Sequence, residues 1–174
     1  HACLKHYAVH SGPESERHFF NAADISQRDL AETYLYAFEH LVKYTDVHEV
    51  MCAYNAYEGQ PCCGSDQLLT RILRDEWGYQ GLVVSDCGAI RDFYAPNYRN
   101  HQTFPGDAAL SSANAVLSGT DVECGSNYLK LPAAVKEGLI TEAQLNESVI
   151  KLLTARFEVG DFDDDETVEW VAGS

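Results

Sequence analysis

No apolar run in this sequence approaches the roughly 18 residues a membrane-crossing helix needs. No C-x-x-C pair occurs among Cys3, Cys52, Cys62, Cys63, Cys87 and Cys124, so a zinc site is not expected. Basic residues are scarce, with 12 Lys and Arg against 27 Asp and Glu and a formal net charge of −15. Binding a phosphate backbone needs the opposite balance, which excludes nucleic acid as a partner. An anionic membrane surface is excluded for the same reason. Neutral substrates such as sugars are compatible with this charge. The chain opens without Met and without a basic-then-apolar leader. Its first residues, HACLKHYAVH, already read as a strand, so the chain is expected to be a piece of a longer protein.

What is present is ordinary globular material: 174 residues, 45% hydrophobic and 22% charged. One domain or part of one is the expectation. The cysteines sit mostly in apolar, strand-like runs, where a free thiol behaves as a small buried hydrophobe. One disulfide, Cys87 with Cys124, is the alternative.

Strand and helix signals alternate. Strands are predicted at 4–10, 48–57, 81–88 and 120–125. GLVVSDCG (81–88) is a continuous apolar run, as for a strand covered on both faces. Ser26 predicts a helix start, with Leu30, Tyr34, Ala37, Phe38 and Leu41 at helical spacing. Ser65 or Asp66 caps a second helix through Trp77, whose Leu68, Leu69, Ile72 and Leu73 face inward. Trp77 itself reads as packing. Further helices are predicted at 107–118, 128–137 and 142–157, the last capped by Thr141.

The order βαβαβαβα predicts an α/β fold with parallel strands and right-handed crossovers. Polar residues gather at the strands' C-terminal ends: Lys5 and His6, Tyr54 and Asn55, Ser85 and Asp86, then Glu123. A (β/α)8 barrel carries its functional groups at that end and takes about 250 residues. The reading is therefore about four βα units of a TIM-type barrel over 1–160, with an acidic tail at 161–174. The tail, DFDDDETVEW at 161–170, begins like a calcium loop, but Glu166 stands where the turn glycine belongs and Ala172 where the closing Glu belongs. A solvated linker is the better account.

At KHYAVHSGPESERHFFNA (5–22), MCAYNAYEGQPCCGS (51–65) and GLVVSDCGAI (81–90) the sequence resembles family 3 glycoside hydrolases, in their β-glucosidase and β-xylosidase branch. The resemblance runs through LLTARFEVGDFDD (152–164) and makes the chain the C-terminal half of that family's barrel domain. It implies that Asp86 is the catalytic nucleophile. It implies that Lys5, His6 and Arg17 bind sugar hydroxyls in the cleavage subsite, and that Met51 and Tyr54 line it. It implies a general acid/base Glu from a second domain beyond residue 170, outside this chain. The β-N-acetylglucosaminidase branch is not indicated, because HSGPESERH stands where that branch carries its G-H-G-rich motif. No cofactor is implied. The family habit of degrading polysaccharide favours an extracellular or periplasmic location.

The residue types suit the chemistry. A retaining glycosidase needs an ionised carboxylate facing the anomeric carbon. Lys5 and Arg17 are expected to hold Asp86 charged, and the Tyr54 hydroxyl to donate to it. Glu14 and Glu123 are the local alternatives for an acid, and Glu123 reads as structural. His10 and His18 read as core or loop histidines. The rival function is a non-catalytic piece that binds sugar or self-associates, since half-barrels can bury open edges as a homodimer.

Overall fold

The computed structural model describes residues 1–96, 101, 103–164 and 166–168. Three parallel strands form its central sheet in the order β1 (Cys3–Tyr7), β3 (Glu49–Cys52), β6 (Leu82–Ser85). Leu4 pairs with Val50 and Val50 with Val83, placing them in one row. Successive strand side chains alternate faces. The row Leu4, Val50, Val83 therefore joins the core, while Glu49, Met51 and Val84 lie on the opposite face, each half-buried.

The fourth strand expected at 120–125 is reduced to a single parallel bridge, Val84 with Val122. The cause is a side chain that takes a ladder position. The Val83 amide donates to the Asp121 carboxylate at 2.9 Å rather than to a backbone carbonyl. The Cys124 amide likewise donates to Ser85 Oγ at 3.1 Å.

A second, small sheet is formed by β2 (Asn21–Ala22), β4 (Ala56–Tyr57) and β5 (Gln60–Pro61). It splits the strand expected at 48–57 in two. Asn55 marks the break. Its buried amide donates to the carbonyls of Ala8, Val9 and Ala56, so the loops after β1 and β3 share one clamp.

Helices cover the core face. Ser26 caps α1 (Gln27–Asp29) by accepting from the Asp29 amide at 3.0 Å. The helix continues through a wider stretch, Leu30–Leu35, into α2 (Tyr36–Tyr44). A second wide-turn helix, Gln67–Glu76, buries Leu68, Leu69 and Leu73, with Ile72 packed beside them. Each fully buried Leu contributes about 1.5–3 kcal/mol. Trp77 packs edge-on against Tyr7, whose hydroxyl donates to the Leu68 carbonyl at 2.9 Å. Asp107 caps α3 (Ala108–Ser118), and α4 is Leu131–Lys136. Thr141 and Gln144 form a reciprocal capping box at the start of α5 (Glu142–Glu158). No helix among the described residues is long and apolar enough to cross a membrane.

The cysteines depart from the default reading. Cys87–Cys124 is a disulfide, and so is Cys52–Cys63, which the sequence did not suggest. Cys52 ends β3 and Cys63 lies 11 residues on, so the bridge closes the loop that carries Tyr54 and Asn55. Cys3 and Cys62 are free thiols, and burial pushes the Cys62 thiol up to about 12. A paired Cys52→Ala, Cys63→Ala variant is expected to lose about 2–4 kcal/mol of unfolding free energy. Urea unfolding read against the parent checks this, and an unchanged midpoint contradicts it.

Candidate active site

Asp86 follows β6 directly, and its amide extends the ladder by donating to the Cys52 carbonyl at 3.1 Å. This places it at the C-terminal end of a parallel strand, two residues beyond Val84 and so on the face shared with Met51. The residue is 8% exposed. One carboxylate oxygen, Oδ1, accepts from the Cys87 amide at 2.8 Å. The other, Oδ2, lies 3.4 Å from His6 Nε2. Gly88 adopts the left-handed conformation at φ 81°, turning the chain sharply after Asp86, and its amide donates to the Cys124 carbonyl at 2.7 Å.

Three strand ends meet here. His6 comes from β1, Tyr54 from the turn after β3 and Asp86 from the end of β6. Burial lowers the His6 pKa, and the Asp86 charge opposes that shift. The Tyr54 hydroxyl was expected to donate to Asp86. It donates to the Cys87 carbonyl at 2.8 Å. Burial, then the Asp86 charge and a hydrogen bond to Asp86, raise its pKa. It therefore stays a proton donor beside the carboxylate.

Lys5 and Arg17 were expected to hold Asp86 charged by their proximity. Neither makes an ion pair with it within 4.0 Å among the described residues. Lys5 is exposed. Arg17 Nη1 binds Glu14 Oε1 at 2.7 Å, and its guanidinium lies over the Tyr54 ring, 5.2 Å from the centroid. Its charge still reaches the site, lowering the His6 pKa. Met51 is half-buried on β3, on the sheet face away from the core.

Several groups at the site were not singled out from the sequence. His10 and His18 read as core or loop histidines, yet both belong to the cluster. His10 sits against His6 at 5.1 Å between ring centroids and bonds Asn55 Oδ1 through Nδ1 at 3.1 Å. The His18 ring lies 4.2 Å from that of Tyr54. His18 Nδ1 meets Asp92 Oδ2 at 2.7 Å. Asp92 stands in the short turn Ala89–Phe93 after the Asp86 loop. Burial pushes its carboxyl up to about 6, and the hydrogen bond from His18 opposes that rise. His101 Nε2 meets the Tyr54 carbonyl at 2.7 Å, and burial lowers its pKa. Apart from the neighbouring His6 and His10, spacing could not reveal these partners, because they lie 36 to 74 residues apart in the chain.

Glu123 is occupied elsewhere. It accepts from the Tyr128 amide at 2.6 Å and from the Asn127 side chain, fixing the turn after Val122. Glu14, the other local acid considered, is exposed and spent on Arg17.

The opposite end of the strands carries a cavity of about 710 Å³ lined by His48, Tyr79, Gly81 and Glu158. His1, His48 and Glu158 gather there in a grouping of potential ligands. The two imidazoles are stacked 4.1 Å apart with planes 10° from parallel, so their in-plane lone pairs do not converge on one ion.

Residues 1–155 match the model described as the glycosyl hydrolase family 3 N terminal domain. The chain belongs to this family. It is 55% identical to the xylan 1,4-beta-xylosidase of Xylanibacter ruminicola over 171 residues, 97% of this chain and 19% of that protein. It is 35% identical to beta-D-xylosidase 1 of Arabidopsis thaliana over 167 residues, 93% of this chain and 21% of that protein. Among solved structures it resembles the GH3 exo-beta-xylosidase XlnD bound to a xylobiose aziridine activity-based probe, with TM-score 0.83 and 31% identity. That likeness covers 97% of this chain and 22% of the other. A Listeria innocua beta-glucosidase superposes with TM-score 0.79 at 25% identity, over 93% of this chain and 22% of the other. The chain thus spans about a fifth of the length of the family 3 relatives it matches.

Proposed function

We propose that the protein containing this chain hydrolyses β-glycosidic bonds of neutral sugars, β-xylosides foremost, by a retaining two-step mechanism with Asp86 as nucleophile. The observation that carries the reading is the placing of Asp86. Its carboxylate stands at the C-terminal end of a parallel strand, with Oδ1 oriented by the Cys87 amide and Oδ2 turned toward His6.

Chain order and the parallel β1-β3-β6 sheet support residues 1–160 as about half of a (β/α)8 barrel. Residues 161–174 then serve as an acidic linker. In the first step Asp86 attacks the anomeric carbon and forms a glycosyl ester. The leaving oxygen takes a proton from a Glu supplied from outside this chain. In the second step that Glu removes a proton from water, which displaces Asp86 as a free carboxylate. Lys5, His6 and Arg17 bind sugar hydroxyls, with charge-assisted bonds where the donor is cationic. Met51 and Tyr54 form the wall of the subsite. Sequence identity to proteins named as xylosidases favours the xyloside over the glucoside.

The test is mechanism-based labelling of the full-length protein. A 2-deoxy-2-fluoro-β-xylosyl fluoride expels fluoride as the ester forms, and the fluorine at C2 slows its breakdown. Peptide mass spectrometry is expected to find one fluoroxylosyl group, on Asp86. A label on another carboxylate removes Asp86 from the role.

A further inference from the structure

Three side chains from two separated loops form one hydrogen-bonded line. Asp92 Oδ2 meets His18 Nδ1 at 2.7 Å, and Arg17 Nε donates to His18 Nε2 at 3.2 Å. Arg17 has only donors, so the His18 nitrogen facing it must present a lone pair. That requires the proton of a neutral imidazole to sit on Nδ1, where the Asp92 carboxylate accepts it. Without that acceptor the tautomer is free to invert, and an Nε2–H would then face an Arg17 N–H, donor against donor. Arg17's other anchor is Glu14, whose side chain is 78% exposed. Exposed pairs of that kind hold little. The direction of the guanidinium therefore depends on His18.

We infer that Asp92 is a positioning residue of the site: it fixes the His18 tautomer, and His18 in turn holds Arg17 over Tyr54 and beside the sugar. The inference rests on the glycosidase reading above. It adds a residue that follows the nucleophile by six positions and touches no substrate. Asp92 is bound on its other side through its backbone, whose carbonyl accepts from the His101 amide at 2.8 Å. The His18 ring is set against Tyr54. Loss of the carboxylate thus leaves the ring in place and changes which nitrogen carries the proton.

The experiment uses the full-length protein and a nitrophenyl β-xyloside. Asp92→Ala is expected to raise KM about tenfold while kcat changes less than about threefold, as for loss of one charge-assisted contact to bound sugar. Asp92→Asn keeps an oxygen for Nδ1–H and is expected to recover to within about threefold of the parent KM. Arg17→Met is expected to raise KM by a similar or larger factor. Adding Asp92→Ala to it is expected to change KM less than about twofold, because Asp92 acts only through Arg17. An equal effect of Asp92→Ala in both backgrounds overturns the inference. If Asp92→Ala does not fold, His18→Phe keeps a ring against Tyr54 without an acceptor. It must then show the same KM rise and the same non-additivity, and its failure to do so is equally decisive. A crystal structure of Asp92→Ala or His18→Phe decides the point without activity: Arg17 is expected to leave the Tyr54 face, and an unmoved guanidinium refutes the line. A parent enzyme that hydrolyses no glycoside overturns the functional reading instead, and the crystallographic result still judges Asp92.

Discussion

Asp86→Asn in the full-length protein is expected to lower kcat on aryl β-xylosides by at least about 10⁴-fold. The substitution is nearly isosteric. The amide oxygen can still accept from the Cys87 amide, the bond that now orients Oδ1. What disappears is the anion, and with it the ester on which the two-step route depends. The fold should be spared, so the unfolding free energy is expected to stay within about 0.5 kcal/mol of the parent. Steady-state kinetics with active-site titration gives the comparison. Residual turnover near the parent rate in a homogeneous preparation would assign the attacking group elsewhere.

The largest stability effect is expected at Asp121. Its side chain is 1% exposed and meets Arg74 Nη2 at 2.6 Å and Lys151 Nζ at 2.8 Å. It also accepts from Ser148 Oγ at 3.2 Å and the Val83 amide at 2.9 Å. One carboxylate therefore joins the wide helix Gln67–Glu76, α5 and β6. Removing a single member of a buried ionic cluster strands the others without compensation, at a cost of about 3–5 kcal/mol. Asp121→Ala is expected to show that loss in urea unfolding. Asp121→Asn, which keeps an acceptor for Val83 N–H, should lose less. The activity of the fraction that remains folded is expected to be close to normal, because Asp121 lies outside the Asp86 cluster. A midpoint within experimental scatter of the parent would mean that the two cations find water instead.

Much of the fold was legible because its signals are local. Apolar runs marked β1, β3 and β6, and Ser26, Asp107 and Thr141 announced helix starts that the structure bears out. The failures share a cause. The strand at 120–125 shrank to one bridge because Asp121 and Ser85 side chains occupy hydrogen-bonding positions, which no periodicity encodes. Cys52–Cys63 escaped because a spacing of 11 residues carries no geometry until β3 and the turn after it are placed. At the site, motif resemblance pointed to His6, Tyr54 and Asp86, which do converge. It could not show that the Tyr54 hydroxyl also meets the Cys87 carbonyl, or that His10, His18, Asp92 and His101 crowd the same corner. Those are long-range contacts, set by packing rather than by any window of sequence.

The bridge from Cys87 to Cys124 has a practical bearing. Cys87 supplies the amide that holds one oxygen of Asp86 and the carbonyl that accepts from the Tyr54 hydroxyl. Reduction of the bridge would unfasten that segment from its anchor, so the redox state of two cysteines bears on how Asp86 and Tyr54 are held.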